Sequence, residues 1–116
     1  MIYSRRRYEV IVLEPAMVFV RSLPTKLSAK VLRDVELLER FGPFLPSPHA
    51  RKLSGYGLRE LRVRQGSDIC RLFYFDHQSA TFVITSGYRK KSNKTSTKEL
   101  DRAMRLKSTY LEEQQQ

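Results

Sequence analysis

Cysteine, histidine and long uncharged runs are all scarce in this chain of 116 residues. The single cysteine, Cys70, lies inside an apolar stretch, so no disulfide can close within the chain. It reads as a small core residue in a reducing compartment. With two distant histidines, His49 and His77, there is no metal-ligand spacing, and neither a metal nor another cofactor is expected. The apolar stretch after Arg5–Arg7 is interrupted by Glu9, Glu14 and Pro15, and no uncharged run reaches the length of a membrane helix. The chain therefore reads as a soluble cytoplasmic protein without an export signal or membrane contact. Acidic residues are the remaining shortage, at 12 against 22 Lys and Arg, for a formal charge of +10.

That excess points to a polyanionic partner, nucleic acid before any other. It is uneven: residues 1–50 carry 8 basic and 5 acidic side chains (+3), and 51–116 carry 14 and 7 (+7). An anion site belongs to the second half. The length suits one domain over residues 1–116, with 112–116 as a frayed tail.

Residues 8–13, YEVIVL, are β-branched and apolar and predict a strand; AMVFVRSL after Pro15 predicts a short helix. Leu27, Val31, Val35 and Leu38 recur at helical spacing, with Lys30, Arg33, Asp34 and Glu39 between them, until Gly42-Pro43 stops the helix. GPFLPSPHARKLSGYG, residues 42–57, reads as a loop. Three strands follow at 58–64, 69–75 and 80–86. Ser96 and Glu99 then form a capping box for a last helix with Leu100, Ala103, Met104 and Leu111 as its apolar stripe. The order β-α-α-β-β-β-α implies an α+β fold, a small antiparallel sheet with helices packed on one face.

Gly66-Ser67 fits a two-residue type II′ hairpin turn, with glycine first. Arg62 then faces Arg71, Val63 faces Cys70 and Leu61 faces Leu72. Alternation gives one apolar side (Leu61, Val63, Cys70, Leu72, Tyr74) and one side with Glu60, Arg62, Arg64, Arg71, Ile69 and Phe73. Like charges opposite each other on a sheet cost about 0.2–1 kcal/mol. Two readings stand: neutralisation by Glu60 or Asp76 on a solvated face, or a two-arginine fork that grips a phosphate bidentately.

A second concentration of charge, Arg89, Lys90, Lys91 and Lys94, lies between the last strand and the last helix. Crowding by other cations lowers a lysine pKa towards the range of acid–base work, and the same lysines also serve plain electrostatic capture. Tyr88 either stacks on a base or packs under the loop. The Ser4–Tyr8 tract is an exposed arm or a solvated strand start. His49 and His77 are either surface residues or acid–base groups, His49 being the stronger candidate for the second role because HARKL leads towards the basic strand.

The pieces KLSGYGLRELRVR, CRLFYF and FVITSGYRKKSNKTSTKELDRA, in that order, resemble the HigB-like, phage-derived branch of the RelE toxin superfamily, from about Tyr8 to Leu111. Two positions depart from that pattern: Ser96 stands where the family often has proline, and Glu60 where better-studied relatives carry a basic residue. The resemblance implies the toxin of a type II toxin–antitoxin system, a metal-independent endoribonuclease that cuts mRNA on the ribosome. Its partners would be that mRNA, ribosomal RNA and a helix-turn-helix, HigA-like antitoxin. Arg62, Arg71, Arg89, Lys90, Lys91 and Lys94 match the family's basic site. Attack of the RNA 2′-OH needs cations on the phosphate and a proton acceptor and donor. Arg62 and Arg71, with Lys90, Lys91 and Lys94, are the catalytic candidates. Arg51, Lys52, Arg64, Phe73, Tyr88 and Arg89 are the RNA-binding candidates. The alternative on this scaffold is a non-catalytic RNA-binding module or degenerate toxin.

Overall fold

Residues 7–46, 49–78, 80–90 and 94–115 are described by a computed structural model. The first strand, β1 (Glu9–Val12), runs into helix α1 (Glu14–Arg21), whose first turn holds Pro15, where the missing N–H costs no helical bond. Helix α2 (Thr25–Phe41) buries Leu27, Val31, Asp34 and Leu38. It ends at Gly42, where φ is +53° and a Cβ would stand 2.5 Å from the Tyr8 ring, so both backbone and space demand glycine. A single 3-10 turn at Gly42–Phe44 follows.

The strands after it are β2 (Ala50–Leu53), β3 (Leu58–Gln65), β4 (Asp68–Asp76) and β5 (Thr81–Arg89), and helix α3 (Thr97–Gln114) closes the fold. The sheet order is β1-β5-β4-β3-β2. In the β3–β4 hairpin Arg62 pairs with Arg71, Val63 with Cys70 and Leu61 with Leu72, the register that the Gly66-Ser67 turn predicts. Gly66 has the positive φ, +61°, that a type II′ turn needs at its first position.

The α+β reading holds, with five corrections of detail. Residues 50–53 form an edge strand, not loop, because the outer edge of β3 offers them a hydrogen-bonding partner. The sheet is mixed: β1 lies parallel to β5, a pairing allowed because α1, α2 and three strands separate the two in the chain. The helices occupy both faces. Helices α1 and α2 cover Leu61, Val63, Cys70, Leu72, Tyr74, Phe82 and Ile84. Helix α3 brings Leu100 and Ala103 against Leu58, Phe73, Phe75 and Val83 on the other side. The near-continuous apolar run of β4 is the signature of a strand covered on both faces. Strand β5 extends to Arg89, three residues past the expected end. Finally, Glu112–Gln114 continue α3, since nothing in Glu or Gln opposes helix and no breaker precedes them.

A β-bulge decides which way the end of β5 faces. Phe73 pairs with Ser86 but Tyr74 with Ile84, leaving Thr85 as the extra residue. Val83 before the bulge and Tyr88 after it therefore both join the α3-side cluster. Burial pushes the Cys70 thiol up to about 12, which leaves it protonated and unreactive at neutral pH, as its apolar setting predicts. Among the described residues no helix is long and apolar enough to cross a membrane.

Candidate functional site

Helix α3 covers one end of its sheet face through Leu100 and Ala103. The other end carries the charges, because β3 and β4 put Glu60, Arg62 and Arg71 on this face while their apolar alternates point to α1 and α2. The floor is an ion pair. Arg71 and Glu60 are both 0% exposed, and Arg71 Nη1 donates to Glu60 Oε2 at 3.1 Å. Arg71 Nη1 also donates to Thr95 Oγ1 at 2.8 Å, and Thr95 Oγ1 donates to the same Glu60 oxygen at 3.1 Å. This triad ties the segment leading into α3 down onto the sheet.

Above the floor stand Arg62, half-buried, Lys90, half-buried, and Arg51, exposed on β2 and paired in register with Glu60. The backbone N–H of Lys90 donates to Ile69 O at 2.8 Å, fixing the residue where β5 ends. The Lys90 ammonium is held below its ordinary pKa, first by partial desolvation and then by Arg71, Arg62 and Arg51, with Glu60 opposing them. Four basic side chains thus share one carboxylate, in a setting that favours an arriving anion and eases proton loss from Lys90.

The two-arginine fork is corrected by this geometry. Arg62 and Arg71 do face one another across the hairpin, but Arg71 is spent on Glu60 and Thr95, the neutralising arrangement, and Arg62 alone of the pair retains exposure. Buried arginine is tolerable only with such partners. Phe73 is 0% exposed and cannot meet RNA. Tyr88 packs beneath the loop: its ring stacks on Phe73 at 5.8 Å, and its hydroxyl accepts the Ser96 N–H at 3.0 Å. Ser96 in turn caps α3, its Oγ accepting the Glu99 N–H at 3.3 Å.

The remaining candidates are dispersed. Arg89 pairs in register with Cys70, on the α1–α2 side, and its Nη2 lies 2.8 Å from Asp68 Oδ1. Arg64 is exposed near the hairpin turn, Lys52 is exposed on β2, and Lys94 is exposed one residue before Thr95. Lys91 and Ser4–Arg6 lie outside the described residues. His77 packs edge-on against Tyr110, 5.3 Å between centroids, as part of the α3 contact. Thr95 escaped the sequence reading. Its signal, a threonine beside the lysine cluster, is weak until folding brings it across to Glu60.

The model of a family of phage-derived proteins, Gp49-like, matches residues 18–108. No curated protein matches the chain. Among solved structures, the Escherichia coli toxin RelE, as a double arginine-to-alanine mutant in the free state, superposes with a TM-score of 0.63 at 17% identity, covering 84% of this chain and 95% of that one. The RelBE2 toxin–antitoxin complex of Mycobacterium tuberculosis gives 0.54 at 24% identity, over 72% of this chain and 98% of that one. The RelE–RelB complex of Pyrococcus horikoshii gives 0.54 at 24% identity, over 71% and 93%.

Proposed function

Because the chain belongs to the Gp49-like family of phage-derived proteins and has the fold of the RelE toxins, we propose that it is the toxin of a type II toxin–antitoxin system. Its activity in this reading is that of a metal-independent endoribonuclease that cuts mRNA in the cytoplasm, on the ribosome. The observation that carries the reading is the crowd of Arg51, Arg62, Arg71 and Lys90 around one buried carboxylate, with the Lys90 pKa depressed. Phosphoryl transfer to a 2′-OH asks little beyond positioned cations and a route for two protons. In this scheme Arg62 holds the scissile phosphate, Lys90 takes the 2′-OH proton, and a second lysine of the corner, Lys91 or Lys94, gives a proton to the departing 5′-oxygen. Arg71 acts from beneath, as a fixed positive charge oriented by Glu60. Lys91 and Lys94 extend the catalytic corner, and Arg51, Lys52, Arg64 and Arg89 gather mRNA and ribosomal RNA.

Two of the structural neighbours are complexes, the RelBE2 toxin with its antitoxin and RelE with RelB, which supports an antitoxin as partner here. A helix-turn-helix antitoxin and the HigB-like branch are the finer parts of the proposal.

The experiment is primer extension on message recovered from cells expressing the chain, with and without Arg62→Ala and Lys90→Ala. Wild-type cuts at defined positions, seen in cells and in a purified translation reaction and lost with either substitution, are expected. The burial of Arg71 favours a second reading, an RNA-binding module without catalysis. Slowed translation with intact message would establish that module and remove the nuclease.

A further inference from the structure

Beyond the β2 pairing, which ends with Leu61, the outer edge of β3 is met by the Arg62 N–H donating to His49 O at 2.8 Å. Here a pocket of about 200 Å³ opens between α2 and the hairpin. Asp34 projects into it from α2 and is 1% exposed. Its Oδ1 has no hydrogen-bond partner among the described residues, and Lys30 Nζ stands 4.0 Å away. Val63 and Ile69 supply apolar wall, and the other ionisable groups around the space, Lys30, His49, Arg62 and Arg64, are all basic.

That combination narrows the ligand. A metal ion or a free amine would meet four basic groups for one carboxylate. A bare phosphate would meet the carboxylate at the bottom. What fits is a molecule with anionic charge at one end and hydrogen-bond donors at the other, and room for one planar ring between apolar walls. A nucleotide has this form. An ionised carboxylate only accepts hydrogen bonds, so the base edge must donate. Guanine presents two adjacent donors, N1–H and the 2-amino group, with the O6 acceptor beside them, matching an ammonium 4.0 Å from a carboxylate oxygen. Arg62 lines the pocket and also reaches the Lys90 cluster electrostatically, so one strand can leave its phosphate on the sheet face and turn its base over the β3 edge. Single-stranded RNA is read in this way, with bases splayed from the strand.

We infer that this pocket takes one unstacked guanine of the bound RNA and that Asp34 determines the choice. The inference rests on the proposal that RNA is the ligand, and not on cleavage.

Fluorescence anisotropy of the full chain with labelled, 2′-O-methylated heptamers AAAGAAA, AAAIAAA (I, inosine) and all-A tests it, because those RNAs cannot be cut. The guanine heptamer should bind about tenfold more tightly than all-A, the value of one good base-edge contact, with inosine between them. Asp34→Asn, checked for a native melt, should erase the difference. Equal binding of guanine and all-A by the wild type overturns the inference, as does a guanine preference that survives in a folded Asp34→Asn. Should that variant fail to fold, the wild-type comparison with inosine decides alone. Guanosine monophosphate that binds as tightly as the heptamer would also overturn it, by making the pocket a mononucleotide site. A chain that selects guanine yet cuts no message keeps the pocket and loses the nuclease.

Discussion

Arg71 is the side chain whose role changes most between chain and fold. As a strand residue opposite Arg62 its partner stays open between a nearby carboxylate and a phosphate; in the fold it is a buried cation shared by Glu60 and Thr95. Removing one member of such a pair leaves the other charge stranded, at about 3–5 kcal/mol. Arg71→Ala should therefore lower the urea midpoint steeply. The double substitution Arg71→Met with Glu60→Leu should recover most of that stability in the same titration while leaving no cleavage. Arg62→Ala, at a half-buried position, should hardly move the midpoint. Asp34 has the opposite character. Burial raises its carboxyl above the ordinary 3.8, outweighing Lys30, His49 and Arg33. A folded state that holds a proton more tightly than the unfolded chain loses stability as pH climbs from 3.8 through the raised value, and the loss is complete above it. Asp34→Asn should then raise the melting temperature at pH 7 and change it less near pH 4, as thermal unfolding at the two pH values would show.

At the scale of elements, the corner of the site depends on how β5 ends. The bulge at Thr85 turns Tyr88 towards α3, and Tyr88 then ties the start of α3 to the strand through Ser96. Gly87 sits between these parts because a Cβ there would approach Phe19 of α1 to 2.6 Å and the Arg71 carbonyl to 3.0 Å. Gly87→Ala should force α1 away from the sheet at about 1–3 kcal/mol, measured as a lower unfolding midpoint, and the strand end carrying Lys90 should loosen with it. The hairpin was readable in advance because a two-residue turn dictates its register without help from the rest of the chain. The edge strand β2 was not. Arg51 and Lys52 are both exposed, so its four residues show no alternation, and only β3 beside it makes a strand of them.

For the molecule as a whole, the excess of positive charge has a measurable consequence. If Arg51, Arg62, Arg64 and Lys90 each neutralise one phosphate, the logarithm of the affinity for single-stranded RNA should fall against log salt with a slope of about −3. Lys90→Ala should make that slope shallower by about 0.7 in a filter-binding series over salt concentration. The layered arrangement explains why the charge gathers where it does. Helices α1 and α2 take one face of the sheet, α3 takes part of the other, and Arg51, Arg62 and Lys90 converge on the remainder.

Composition and local pattern settled much of this protein before any fold was drawn: the element order but for one edge strand, the β3–β4 register, the apolar and charged faces, and the half of the chain that holds the cations. These follow from contacts between near neighbours, where periodicity and turn chemistry act directly. The parallel placement of β1, the division of the helices between two faces, the burial of Arg71 and Phe73, and the exposure of Arg62 depend on residues far apart in sequence. So does Asp34, which falls in the spacing of Leu27, Val31 and Leu38 and yet reads as polar surface until His49 and Arg62 close around it. A charge declares its type in the sequence; its environment, which decides whether it binds, titrates or merely stabilises, exists only once distant segments have met.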